Sequence, residues 1–509
     1  MSSKVRWAIL AVPCLFVLLA YAPTAHFFAN QYDDAYITYR YAIHLAQGDG
    51  LVFNVGERTD AASSFLYTVL LAGFWRLGLH DMELIGGLLG LASLGVITGL
   101  TWRLARRLSG HSSVALFMAL AAGLNGLLAG WSLSGMETLP WAACVLAALC
   151  AIVEGAAWPV TWVLVAMSAF GRVEGVLLMA AWGVRLLPWM GEKDRAVKAS
   201  LLAPVLGMAG LLLAFIAFYA AKHAYYGVWI SHAFAMKELA SYYRSSPAEL
   251  FRLWGLFASL PVLLSLWSLP DRRLWPIWAY FLLSLVSVAT GPRSDWARYS
   301  VHLIPVAYVL AACGLVRLGQ MTSMKQLSFM RQGAIALLAL VLLQSFGAAA
   351  YNWRNMTQLA DHQVCRRQIG EQIERHIPSN EPIASSDLGL ISYVAIDHAF
   401  VDLVALTSAD VLVAYQGGRP ADEVLLRKHV HYIADTVSPH FADRVNELQA
   451  LFPHVHTTSR FQVGPVDASA AVSSDGAVPV AFSCQARGVA FRIAELMDGR
   501  RNVALDGAR

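Results

Sequence analysis

Long apolar runs separated by short polar stretches set the pattern of this chain. Eleven of them have the length and character of membrane-spanning helices, at about 7–27, 83–102, 112–131, 139–155, 157–171, 173–190, 199–221, 251–269, 274–291, 299–318 and 333–351. Basic residues mark alternate gaps. Arg103, Arg106 and Arg107 follow the second run, and Lys193, Arg195 and Lys198 the sixth. Arg272 and Arg273 follow the eighth, and Arg317, Lys325 and Arg331 the tenth. The positive-inside rule puts all of these in the cytoplasm. The N-terminus is then cytoplasmic too, with the C-terminal region outside, which in a bacterium means the periplasmic face of the inner membrane. Lys4 and Arg6 ahead of the first run resemble a signal peptide. No small-x-small site precedes the acidic segment and many spans follow, so this run reads as a retained helix.

One further run, SSFLYTVLLAGFWRLG at 63–78, is short for a span. Counting it would carry the Arg103–Arg107 loop to the outer side. It reads as a helix lying in the interface, with Trp75 and Arg76 near headgroups. Three features then share the outer side: the first loop (about 28–82), the loop 222–250, and the tail. The tail, residues 352–509, is long enough for a domain of its own, beside a transmembrane domain over 1–351. Its apolar stretches PIASSDLGLISYVA, AFVDLVAL and HVHYIADTV, divided by charged amphipathic segments, predict a mixed α/β fold.

Composition agrees. The chain is 57% hydrophobic and only 14% charged, and its mean hydropathy is +0.52, well to the apolar side of soluble domains. A net charge of +4 carried in short loops gives no reason to expect a nucleic-acid partner. Cys14, Cys144, Cys150 and Cys313 fall in apolar runs as small buried residues. Cys365 and Cys484 lie in the tail, where they form either a disulfide or two separate thiols.

The chemistry concentrates in QYDDAYITYRYAIHLAQGDGLVFN, residues 31–54. Residues 34–47 predict a helix with Asp33 as N-cap and Gly48 just past its end. Helical periodicity then puts Asp33, Ile37, Arg40 and His44 on one stripe, and Asp34, Thr38, Tyr41 and Leu45 on the next. Capping accounts for one acidic residue and not two. A carboxylate at the outer membrane surface can take a proton from an attacking hydroxyl, act as a nucleophile, or hold a divalent cation. If the leaving group is a phosphate, cations must stabilise it. The outer loops offer Arg40, Arg58, Lys222, Lys237, Arg293 and Arg298.

The stretch DDAYITYRYAIHLAQGDGLVFNVGERTDAASSFLYTVLL resembles the first outer loop of the GT-C glycosyltransferases, polytopic enzymes that use polyprenyl-phosphate sugars. Within that superfamily it is most similar to the terminal arabinofuranosyltransferases of cell-wall arabinan and to a related enzyme acting on type IV pilin. Weaker matches follow in order. SGMET (134–138) resembles an S-G-x-E-T turn. GRVEG (171–175) resembles an R-P-E-G turn, with Val173 in place of proline. YYGVWISHAFAMK (225–237) resembles a Y-Y-G…P-N-T…K loop, SDWARYSVHLIP (294–305) a G-D-W…R-F segment, and SDLGLISYV with VDLVAL the start of the soluble domain. Ile230, Ser231 and His232 replace the P-N-T core, Ser294 replaces the glycine before Asp295, and TDAASS replaces VEGYTS at 59–64.

The resemblance implies a polytopic α-helical membrane protein of the GT-C fold, with about eleven transmembrane helices and a C-terminal extracytoplasmic α/β domain. It implies transfer of a pentose, D-arabinofuranose, from a polyprenyl-phosphate donor to a hydroxyl of a surface glycan or of a protein such as pilin, among membrane lipids. Asp33 or Asp34 carries the catalytic carboxylate, and Asp33 is favoured because it shares a stripe with Arg40. Arg40, His44 and Arg58 steer phosphate or lock the loop, the arginines through ion pairs with Glu57 or Asp60. Glu137, Arg172 and Glu174 line the cavity or pair with one another. Lys237, Arg298 and Tyr299 suit a lipid-phosphate clamp, or contact with anionic headgroups. His232 and His302 are possible metal ligands, and no metal site is named; a divalent cation stays open as a cofactor. Alternative readings are a hexosyl, mannosyl or aminoarabinose transferase, or a lipid-linked-sugar transporter. A transporter would show inverted repeats and mid-membrane polar residues, whereas here the ionisable residues gather at the outer face.

Overall fold

The computed structural model describes residues 11–19, 31–190, 195–239, 247–291, 296–320, 339–345, 347, 363–364, 366–419, 421–430, 432–437 and 490–495. Helices dominate. In chain order they are α1 (11–19), α2 (Asp33–Gln47), α3 (Phe65–Arg76), α4 (Met82–Ser109), α5 (Ser112–Gly123), α6 (Gly126–Trp131), α7 (Thr138–Glu154), α8 (Trp158–Gly171), α9 (Leu178–Met190) and α10 (Arg195–Tyr226). They continue with α11 (His232–Leu239), α12 (Pro247–Ser265), α13 (Trp275–Thr290), α14 (Trp296–Ser300), α15 (Leu303–Gln320), α16 (366–376), α17 (Leu388–Val394), α18 (Ala409–Gln416) and α19 (Asp422–Arg427). Helical backbone also occurs at 339–345.

Among the described residues, four stretches are long and apolar enough to cross a membrane: Met82–Ser109, Leu201–Tyr226, Arg272–Thr290 and Leu303–Gln320. Shorter apolar helices lie between them. Leu202, Leu206, Leu213 and Ile216 of α10 are all more than half exposed, as befits a helix whose apolar face meets lipid. Local signals set the ends. The Asp81 carboxylate caps α4 by accepting from the Leu84 amide at 2.9 Å, and Gly110 closes it at φ 74°. Inside the bundle, a Cβ on Gly90 would stand 2.1 Å from the Ser132 carbonyl oxygen, so only glycine lets these backbones meet.

Two expected spans are not single helices. The run 112–131 breaks at Asn125, whose side chain caps α6 through the Leu127 amide (3.0 Å) and donates to the Phe257 carbonyl (2.8 Å). The run 299–318 divides into α14 and α15. A 3-10 turn at Val173–Leu177 separates α8 from α9. The 63–78 run forms α3, whose 12 residues extend only about 18 Å, short of the roughly 30 Å hydrocarbon core.

The bundle has two chemically distinct ends. Arg103 of α4 forks onto Glu154 at the end of α7 (2.8 and 2.5 Å). Glu137 precedes the other end of α7, which puts it about 25 Å away along that helix.

The tail contains a four-stranded sheet of order β2-β1-β3-β4, with β1 at Ile383–Ser385, β2 at Phe400–Asp402, β3 at Tyr432–Val437 and β4 at Ala490–Glu495. The β1 strand runs parallel to β2 and β3, and β4 pairs antiparallel with β3. With α16–α19 this is the mixed α/β pattern that the sequence predicts. Two cores join the tail to the segment around α2 and to α11. Tyr41 and Phe53 pack with Ile369, Ile373, Ile391 and Phe400, while Met236 of α11 packs with Val401, Leu403 and Val411.

Candidate active site

The acidic pair diverges at once. The cap of α2 is Tyr32, which offers no side-chain bond, so Asp33 does not cap its own helix; Gly48 closes it, as expected, at φ 101°. Asp33 instead serves α17, 356 residues away: its two oxygens accept the Gly389 and Leu390 amides, each at 3.0 Å. Arg366 stands 3.6 Å from the same carboxylate and forks onto Asp387 at 2.9 and 2.5 Å. Burial pushes the Asp33 carboxyl up to about 6, against the pull of Arg366 and the Leu390 amide.

Asp34 points the other way. Its carboxylate receives Arg298 Nη1 at 2.7 Å, and its side chain is 39% exposed. Arg298 continues to Glu137 Oε1 at 3.5 Å, and Arg172 Nη1 meets the same oxygen at 2.6 Å. Arg172 Nε lies 3.5 Å from Glu174. The result is a chain of alternating charge, Asp34–Arg298–Glu137–Arg172–Glu174, in which all but Asp34 are buried deeply. Tyr299 completes it. Both guanidiniums lie over its ring, at 5.1 Å (Arg172) and 5.6 Å (Arg298), and its hydroxyl accepts from Lys237 Nζ at 3.1 Å. Burial alone would raise the Glu137 carboxyl; Arg298 and Arg172 outweigh it and hold the group below its ordinary value. In the same way Lys237, Arg298 and Arg172 overcome burial and lower Tyr299. Among the described residues Lys237 has no carboxylate within ion-pair distance.

Seven sequence candidates thus converge: Asp34, Glu137, Arg172, Glu174, Lys237, Arg298 and Tyr299. They come from the start of α2, the turns before α7 and after α8, α11 and α14. Arg293 lies outside the described residues.

The other candidates sit elsewhere. Arg40 is 1% exposed, and its guanidinium donates to the carbonyls of Phe53 (2.7 Å), Ser392 (2.5 Å) and His398 (2.6 Å). These bonds tie the first loop to the tail and leave phosphate no access to the group. His44 is buried, with Nδ1 at 3.2 Å from the Val52 carbonyl oxygen, and burial and Arg40 both lower its pKa. Arg58 is exposed over the Tyr225 ring at 4.7 Å. The expected partners of these arginines are taken: Glu57 pairs with Lys428 at 2.5 Å and Asp60 with Lys222 at 2.8 Å. The Asp33–Arg40 stripe grips the tail, whereas Asp34 lies in the charge network.

Several structural residues escape sequence reasoning. Asn54 exchanges two hydrogen bonds with Phe400 of edge strand β2, donating at 2.8 Å and accepting at 3.0 Å. Glu83 gathers the Tyr36 hydroxyl and Arg367, each at 2.5 Å. Only the tail's fold brings these partners within reach. His232 Nδ1 accepts the Asp60 amide (3.1 Å), and His302 packs against the rings of Trp141 and Tyr280. Among the described residues no group of three or more His, Cys, Asp or Glu is placed to hold a metal ion. Cys365 and Cys484 lie outside the described residues.

A family described as a domain of unknown function (DUF8728) matches residues 350–479. No curated protein matches the sequence. Two solved structures of ArnT from Cupriavidus metallidurans are similar over nearly the whole length. The form bound to undecaprenyl phosphate has a TM-score of 0.54 at 15% identity, covering 90% of this chain and 96% of that one. The apo form has a TM-score of 0.53 at 17% identity, covering 88% and 95%. Identity this low speaks to architecture alone. The chain has the polytopic α-helical GT-C membrane fold that the first outer loop leads one to expect.

Proposed function

We propose that the chain is a membrane glycosyltransferase that draws a sugar from a polyprenyl-phosphate donor and places it on a hydroxyl of a surface glycan or protein. The observation that carries this reading is the Asp34–Arg298 pair at the accessible edge of a buried charge network, with Lys237 and Tyr299 beside it. The ArnT structure with undecaprenyl phosphate bound supports a lipid phosphate as the donor class.

The residues divide the work as follows. The Lys237 ammonium and Arg298 hold the phosphate of the donor, where charge grows as the bond from sugar to phosphate oxygen breaks. The Asp34 carboxylate accepts the proton of the acceptor hydroxyl as that oxygen bonds to the anomeric carbon. The lipid phosphate leaves with the electron pair of the broken bond. Glu137, buried between Arg298 and Arg172, keeps both guanidiniums in place. Asp33 and Arg40 seat the tail against α2. The cluster faces outward, opposite the basic cytoplasmic loops, and the tail is periplasmic.

For the donor we favour a pentose, D-arabinofuranose, and for the acceptor an envelope arabinan or pilin, on the strength of the first-loop motif. The test is label transfer from purified polyprenyl-phosphoryl arabinofuranose to an envelope acceptor by the full chain in detergent. Transfer by the wild type and its loss in Asp34→Asn is the expected result. An Asp34→Asn protein that transfers at the normal rate would overturn the assignment. Transfer from a hexosyl or aminoarabinosyl lipid phosphate in place of the pentose would reassign the sugar.

A further inference from the structure

Between α10 and α11 the chain exposes an apolar tip that the mechanism above does not use. Trp229 is 62% exposed, Ile230 54%, and Phe234 in the first turn of α11 38%. Single apolar side chains on a surface need no explanation, but a cluster of large ones does. Gly227, at φ 76°, turns the chain at the end of α10. The Trp229 indole then stacks flat on His223, in the last turn of that helix, with ring centres 4.2 Å apart and planes 6° from parallel. This contact sets the level of the tip. The α10 helix is long and apolar enough to cross the membrane, and its Leu213 and Ile216 are exposed to lipid. Its last turns carry Tyr219, Lys222, Tyr225 and Tyr226, residue types that favour the boundary between membrane and water. Trp229 is therefore held against a lipid-facing helix at headgroup depth, and Ile230 and Phe234 follow it directly. The other side of the segment is committed to protein. The His232 amide donates to the Asp60 carbonyl at 3.0 Å, and Met236 packs with Val401, Leu403 and Val411 of the tail.

We propose that Trp229, Ile230 and Phe234 dip into the outer leaflet, where headgroups meet acyl chains, and that bilayer phospholipid thereby holds α11 and its Lys237 at the level of the donor phosphate. An indole at this boundary buries its ring among acyl chains and keeps its N–H with water and headgroups. Lys237 stands one turn beyond Phe234 on α11, and its Nζ donates to the Tyr299 hydroxyl at 3.1 Å. The anchored tip and the charge network are thus joined through one short helix. The inference rests on the glycosyltransferase reading and adds the bilayer as a support of its phosphate clamp.

The test places photoreactive benzoylphenylalanine at position 230 of the full chain. The nanodiscs contain phosphatidylethanolamine and phosphatidylglycerol and no polyprenyl phosphate. Position 413 is the control, because Val413 of α18 is 57% exposed and belongs to the tail. Position 230 should yield phospholipid adducts and position 413 should not. Binding of bare polyprenyl phosphate is then compared between wild type and the double variant Trp229→Ser, Ile230→Ser. The double variant should keep the wild-type melting temperature in detergent, since both side chains are exposed, and bind about tenfold more weakly in nanodiscs. Combined with Lys237→Met it should add little further loss, because both changes act on one contact. Adducts at position 230 to a tail peptide or a second copy, or equal phospholipid adducts at both positions, overturn the anchor. A binding loss that adds fully to that of Lys237→Met does the same, and each of these results leaves the transferase reading standing. Phospholipid adducts at position 230 in a protein that transfers no label overturn the transferase reading and leave the anchor in place.

Discussion

Asp33 and Arg40, two turns apart on one face of α2, hold opposite ends of the same helix. Asp33 accepts the first amides of α17, and Arg40 donates to the carbonyls of Ser392 and Ala395 near its end. An anion at the N-terminus and a cation at the C-terminus both complement a helix dipole. Asp33 at the start of α2 meets the start of α17 and Arg40 further along meets its end, so the two helices pack in parallel and the side chains oppose the repulsion of their aligned dipoles.

The fit leaves no room at Gly389. A Cβ there would stand 2.1 Å from the Asp33 carbonyl oxygen and 2.5 Å from its carboxyl carbon. Gly389→Ala should destabilise the docked tail by roughly 1–3 kcal/mol, read as a lower thermal midpoint and faster proteolysis within 363–437. Gly73→Ala on α3, where a Cβ meets nothing within 4 Å, should be neutral or slightly stabilising. Equal behaviour of the two variants would contradict the packing.

Removing Arg40 takes the donor from four buried carbonyls, those of Phe53, Ser392, Ala395 and His398. Arg40→Met should lower stability by on the order of 3 kcal/mol or more, visible in denaturant or thermal unfolding. Arg40→Lys should rescue little of it, because one ammonium cannot span the carbonyls that a planar guanidinium reaches. Full rescue by lysine would show that charge alone matters at this position.

The adjacent carboxylates should separate in their effects. Asp34→Asn is expected to reduce kcat by about 10²–10⁴-fold with a near-normal melting temperature. Asp33→Asn should mainly lower stability and leave most of the turnover in the folded fraction. Paired kcat and unfolding measurements decide it, and the reverse pattern would return the catalytic role to Asp33.

The proposed clamp assigns the donor phosphate to Lys237, which stands 3.1 Å from the Tyr299 hydroxyl. Lys237→Met should weaken binding of bare polyprenyl phosphate by roughly ten- to a hundredfold, and the loss should shrink at high salt if the contact is exposed. Unchanged affinity in a titration of the nanodisc-held protein would remove Lys237 from the clamp.

His232 predicts a pH dependence for the clasp between the first loop and α11. Its Nδ1 accepts the Asp60 amide, so the native form there is unprotonated. Burial lowers its pKa from 6.5, with Asp60 pulling the other way. The unfolded chain therefore binds more protons than the folded one just below that value, and stability present above it is lost as the pH falls. Protease cleavage near 222–239 should rise as the medium is acidified below about 6.5, and His232→Gln should flatten that response. A wild-type cleavage rate independent of pH would rule the mechanism out.

The sequence by itself determined the apolar runs, the chemically distinct ends of the bundle, the helix after the acidic pair and its stop at Gly48. It also assembled most of the candidate cluster, because Glu137, Arg172, Glu174, Lys237, Arg298 and Tyr299 all stand at or near helix ends on one side. Such features follow from local periodicity and from where charge is tolerated beside a bilayer. Only the tertiary structure decided what each charge does. Asp33 and Asp34 are neighbours of the same chemical type, and no local pattern distinguishes them. Their roles come from partners 356 and 264 residues further along the chain. For the same reason Arg40 and His44 look like site residues on a helical stripe until the tail folds over them. Long-range packing chose which charged groups were enclosed by protein and which, like Asp34, kept a face to solvent while paired.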